Sequence, residues 1–182
     1  MDCCKVNITE EMRQAVIRRH SGMGSKFNNA YHEDGKGRIW GYLGEEVVIA
    51  ALGDEITRID SRDYDIKFKG KSVDVKTKTR KEPPKDFFDA MVLDSARHQK
   101  TDVYIFVNII APQNLKDNTV DEVLNFKYET GYVLGLITKD NFYKKATFNA
   151  TGTYSNNFLW REDAWTLPYK ELKPFRPGKV YN

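Results

Sequence analysis

Blocks of apolar and polar positions along this chain predict a short succession of elements. Thr9 offers a side-chain cap for a helix reaching about His20, with Glu10 and Glu11 at its positive end. Met12, Ala15, Val16 and Arg19 share one face of that helix, and the segment 21–24 stops it. The polar stretch 27–38, with Gly35 and Gly37, reads as a loop. A second helix is expected over 39–52, carrying Trp40, Leu43, Val47, Val48, Ala50 and Ala51, and Gly53 ends it. It is apolar around much of its circumference past Glu46, which marks a buried helix. Two short strands, 63–68 and 71–76, follow, joined by Lys69-Gly70. Pro83-Pro84 breaks the chain before a helix expected over 86–98, and 102–110 has the continuous hydrophobicity of a central strand covered on both faces. Beyond the polar loop 112–121, strands are expected near 123–128 and 131–137, then a short helix capped by Thr138 and ending at Lys145. The tail reads as an edge strand at 165–168 and a helical turn at 169–172. This order predicts an α+β or mixed α/β fold with a central mixed β-sheet flanked by helices.

The hairpin around Lys69-Gly70 carries the candidate chemistry. A two-residue loop pairs Phe68 with Lys71, Ile66 with Val73 and Asp65 with Asp74. Asp65 and Asp74 would then be directly opposed on one face, their Cβ atoms about 4.5–5.5 Å apart. Lys76 shares that face, while Tyr64, Ile66, Phe68, Val73 and Val75 form the opposite, packing face. Opposed carboxylates destabilise a sheet unless something compensates, and a divalent cation does so. The alternative is a solvent-facing hairpin in which Lys67, Lys76 and Lys78 balance the two acids.

Bulk properties narrow the field without naming a function. The 182 residues suffice for one domain with a core and are too few for two. Aromatic content of 13% argues against disorder, and a net charge of +3 permits a nucleic-acid partner without indicating one. Cys3 and Cys4 are adjacent and make no disulfide framework, so a reduced, cytoplasmic setting is expected. Apolar runs are far too short for a membrane span, so no membrane partner is expected. His20, His32 and His98 are scattered without zinc-ligand spacing, and the glycine pairs match no phosphate-binding fingerprint. Trp40, Trp160 and Trp165 are expected in the core rather than as base-stacking platforms. The basic run Lys76, Lys78, Arg80, Lys81 and Lys85 reads either as contacts to phosphates, with Lys78 the best placed, or as a solvated charged loop.

Asp65, a hairpin and then Asp74-Val75-Lys76 resemble the D…(D/E)-x-K signature of the PD-(D/E)XK nuclease superfamily. Gly41-Tyr42-Leu43-Gly44-Glu45 is similar to the G-x-x-G-E element that precedes it in many members. Residue 64 is tyrosine where the signature has proline. The resemblance covers most of 39–146 and implies a restriction-endonuclease-like catalytic core there, with 1–38 an N-terminal helix and loop and 147–182 a C-terminal extension. It implies Mg²⁺ (or Mn²⁺) held by Asp65, Asp74, the Val75 carbonyl and Glu45, with Lys76 orienting a water. Glu46 is the rival to Glu45. It further implies a metal-dependent deoxyribonuclease from a phage or bacterium, endonuclease rather than exonuclease, with DNA as partner, Lys78, Arg80 and Lys81 touching it, and room for a homodimer. The competing expectation is a nuclease-like fold that binds nucleic acid or protein without cutting.

Overall fold

A computed structural model describes residues 2–22, 35–53, 56–59, 61–155 and 158–177. Most of the expected loop 27–38 and residues 23–24 of the expected stop fall outside them, while the first helix runs two residues past its expected end at His20. Strand β1 (Cys4–Asn7) leads into helix α1 (Glu10–Gly22), where the Thr9 hydroxyl accepts the Met12 N–H at 3.4 Å. Helix α2 (Lys36–Leu52) starts three residues before the expected point and ends at Gly53, whose positive φ of 81° suits glycine. Strands β2 (Ile56–Arg58), β3 (Ile66–Phe68) and β4 (Lys71–Arg80) follow. Lys69 and Gly70 both take positive φ, 48° and 78°, which is the primed turn that a two-residue hairpin loop demands. The expected register holds from Phe68–Lys71 to Ile66–Val73.

The main sheet has six strands in the order β1-β7-β6-β4-β3-β2, where β6 is Val103–Ile110 and β7 is Thr130–Thr138. Only β4 and β6 run parallel, with Asp74 beside Tyr104, Lys76 beside Phe106 and Lys78 beside Asn108. Residues of β6 are buried at all but its two ends, as a strand covered on both faces must be. On one face, Val73, Val75, Ile105, Val107 and Ile109 pack with Met12, Val16, Leu43, Val47 and Val48 of the two helices. On the other face, Tyr104, Phe106 and Leu134 pack against Ala90, Val92, Phe142, Leu167 and Tyr169. The coarse expectation of a mixed sheet flanked by helices therefore holds.

Three local expectations fail. The helix expected over 86–98 is instead strand β5 (Asp89–Leu93) with a short 3₁₀ turn, Asp94–Ala96. Its Ala90 and Val92 are buried at period two, and it pairs with β11 (Ala164–Pro168), about 75 positions downstream in sequence, so no local signal names its partner. Strand β11 is accordingly not an edge: it is the middle of a second sheet, β5-β11-β8, with β8 at Thr147–Asn149. The strand expected near 123–128 is instead the end of helix α3 (Val120–Asn125) followed by irregular chain over 126–128, the helix being initiated by a capping box in which Thr119 and Glu122 satisfy each other's backbone N–H. Helix α4 (Lys139–Lys145), capped by Thr138, is as expected.

Candidate functional site

The β3–β4 ladder stops one pair short of the two acids. Past Ile66–Val73 the strands diverge, and Asp65 turns its side chain where the next backbone acceptor would stand. Its N–H donates to the Val73 carbonyl at 3.0 Å, and its Oδ2 accepts the Val75 N–H at 2.7 Å. Asp65 and Asp74 are thus not a regular cross-strand pair. They flank a fork, and no β3 residue pairs with Val75 beyond it.

Helix α2 brings the glutamate to this fork by a close approach. A Cβ on Gly44 would lie 1.9 Å from the Thr77 Oγ1, so only glycine lets the helix sit so near β4. Gly41, the other glycine of the five-residue motif, meets nothing within 4 Å and has no such reason. Glu45 and Glu46 are both buried, and they have different partners. Glu46 is held in two-pronged fashion by Arg58 of β2, at 2.6 Å and 2.5 Å. Glu45 pairs with Arg19 of α1, whose guanidinium stacks 4.0 Å from the Tyr42 ring centre.

Charge at the fork is poorly balanced. Burial raises Asp65 well above the usual carboxylate range, the Asp74 and Glu45 charges raise it further, and the Val75 N–H and Lys76 oppose them only in part. Burial likewise pushes Glu45 up to about 7, against the pull of Arg19. Asp74 is 4% exposed, and its Oδ2 makes no hydrogen bond but lies 2.7 Å from the Lys76 ammonium as an ion pair. Three carboxylates therefore face two cations, and the uncompensated charge favours the protonated forms of Asp65 and Glu45.

That donor set fits a hard divalent cation, because buried oxygens of surplus negative charge are what such an ion replaces protons on. Among the described residues no three His, Cys, Asp or Glu side chains converge into a complete cage. A cation here would take Asp65 and Asp74, reach the Val75 carbonyl beyond the last ladder pair, and complete its shell with water.

Two residues at the site were not anticipated from sequence. Gln99, after the 3₁₀ turn, accepts the Lys76 ammonium on its Oε1 at 3.2 Å and donates its Nε2 to the Arg62 carbonyl at 2.9 Å, while its own carbonyl accepts from Lys139. Nothing local flags it. Arg19 did carry a signal: a charged residue in line with Met12 and Val16 on an apolar stripe needs a buried partner. The basic run is mostly strand rather than loop, since β4 continues to Arg80. Lys78 does not project freely; its ammonium donates to the Asp89 carbonyl at 3.2 Å. Lys81 is exposed. Trp40 and Trp165 pack against the two cores, whereas Trp160 stacks edge-on with Phe158 of the small hairpin β9 (Tyr154–Ser155) and β10 (Phe158–Leu159).

Among the described residues no helix is long and apolar enough to cross a membrane. No protein-family model, curated protein or solved structure matches the chain.

Proposed function

We propose that this chain is a divalent-cation-dependent deoxyribonuclease of the PD-(D/E)XK kind, with a restriction-endonuclease-like core, cutting internal phosphodiester bonds of DNA. The observation that carries the reading is the surplus of buried carboxylate at the β3–β4 fork, beside a lysine already held in place. Asp65, Asp74 and the Val75 carbonyl hold the cation, Mg²⁺ or Mn²⁺, and Glu45 contributes from the helix once Arg19 releases it. The bound ion supplies Lewis acidity toward a phosphodiester oxygen and lowers the pKa of a coordinated water. Asp74 and Gln99 fix the Lys76 ammonium, which orients the attacking water and stabilises charge growing on the phosphate. Tyr104, its ring centre 5.8 Å from Lys76 Nζ, walls one side of that ammonium.

One observation favours a second reading, a nuclease-like fold that binds without cutting. Glu45 and Asp74 each have a cationic partner within the chain, so two of the three carboxylates are matched by a cation without metal. Linear, circular, single-stranded and branched DNA incubated with Mg²⁺ or Mn²⁺, beside an Asp74→Ala control, separates the two. Cutting by the wild type and none by the variant is the expected result. DNA left intact under every condition sinks the enzyme reading, and retained binding would then favour the second.

A further inference from the structure

Another polar group lies farther along the same face of β4, away from Asp74. Lys78 and Asn108 are neighbours in the β4–β6 register, and Arg80 is two residues on. Asn108 is fully buried. Its Oδ1 accepts the Tyr169 hydroxyl at 2.9 Å, and its Nδ2 has no partner. The Arg80 Nε is also buried without a partner, while the guanidinium stacks 4.6 Å from the Phe88 ring centre and lies beside Tyr169. Lys78 Nζ donates to the Asp89 carbonyl, and an ammonium has three donors to place. Burial, then Arg80, pulls Lys78 down to about 8, with Asp89 opposing.

The unmatched atoms here, Asn108 Nδ2 and Arg80 Nε, are both donors; Asp89 is the carboxylate acting on Lys78, and Glu82, which is near Arg80, is already paired with Lys85. Such a cluster lacks acceptors and negative charge together. A water molecule supplies an acceptor but brings its own donors and no charge. Lys78, Arg80, Phe88 and Asp89 are half-buried, so the group reaches the surface beside the exposed Phe87.

We infer that Lys78, Arg80 and Asn108 form a pocket for a phosphate-type oxyanion, walled by Phe88 and Tyr169. A tetrahedral oxyanion presents acceptors in several directions at once, which suits an ammonium, a guanidinium and an amide carried side by side on two paired strands. Free phosphate and a nucleic-acid backbone phosphate share this chemistry. None of Asp65, Asp74, Lys76 or Glu45 takes part, so the pocket stands or falls apart from the hydrolase reading.

The test is thermal unfolding of the full chain without divalent cation, in inorganic phosphate against chloride at equal ionic strength. Phosphate at ten times its dissociation constant should raise Tm by about 3–6 °C. Asp74→Asn should keep that rise, and Arg80→Gln and Lys78→Met should each lose it. In the wild type the side-chain amide resonances of Asn108 should move on phosphate titration, which needs no variant to fold. An oligonucleotide without terminal phosphates moving the same resonances identifies the backbone as a source; movement by inorganic phosphate alone identifies the free anion. Phosphate no better than chloride, a rise that persists in both pocket variants, or an unmoved Asn108 amide overturns the pocket.

Discussion

Replacing Gly44 with alanine tests how the glutamate reaches the fork. The added Cβ would stand 1.9 Å from Thr77 Oγ1 and 3.0 Å from both Thr77 Cβ and Cγ2. Rotating Thr77 moves Oγ1 away, yet its Cβ is part of the strand and stays, so α2 must shift outward. Overpacking of this sort costs about 1–3 kcal/mol. Alanine in a helix recovers roughly 1 kcal/mol relative to glycine, which obscures the effect in the single variant. Gly41→Ala in the same helix gains the same propensity and meets nothing within 4 Å, so it should stabilise. Subtracting the two cancels propensity and leaves the contact: Gly44→Ala should be about 1–3 kcal/mol less stable than Gly41→Ala. Equilibrium urea unfolding measures it, provided the slope m is unchanged. Adding Thr77→Ala removes two of the three close contacts and should restore part of the loss. Equal stability of Gly41→Ala and Gly44→Ala, or no recovery in the double variant, would refute the close approach. Because Glu45 follows Gly44 directly, the shifted helix should also lower cutting.

Stability should fall as pH rises. Glu45, near 7 in the fold, holds a proton that the unfolded chain has released above about pH 4, so the native state loses ground from there to about pH 7, and the raised Asp65 acts in the same direction. Metal-free protein should therefore need more urea to unfold at pH 5.5 than at pH 8, and added Mg²⁺ should narrow the gap; the reverse slope contradicts the assignment. Asp65→Asn keeps an acceptor for the Val75 N–H and removes a buried charge, so at pH 8 it should gain about 1 kcal/mol or more while losing cutting; a less stable variant argues that Asp65 is not burdened. Gln99→Leu takes one acceptor from Lys76, and turnover should drop on the order of tenfold to a hundredfold with KM little changed. Unchanged kcat would remove Gln99 from the positioning of Lys76.

Local rules carried the elements whose signals are local. The Lys69-Gly70 turn fixed the hairpin register because positive φ at both positions admits only one turn family, and Thr9, Thr138 and Gly53 bounded helices through their own backbone needs. The Thr119–Glu122 capping box was equally legible, and the apolar residues after it suggested a strand instead. Strand β5 was not legible, because what makes 89–93 a strand is pairing with 164–168. For the site, the motif brought Asp65, Asp74, Lys76 and Glu45 onto one short list, but pairwise arithmetic could not see that the ladder ends at Ile66–Val73. That ending decides the chemistry: it turns Asp65 inward to cap Val75 and leaves it buried among other acids. Packing also gave the two neighbouring glutamates different partners, Arg19 for Glu45 and Arg58 for Glu46, and placed the Glu45 charge within reach of Asp65. Sequence determined which groups were available and which turn joined them; burial, which depends on every packed neighbour, decided their charge.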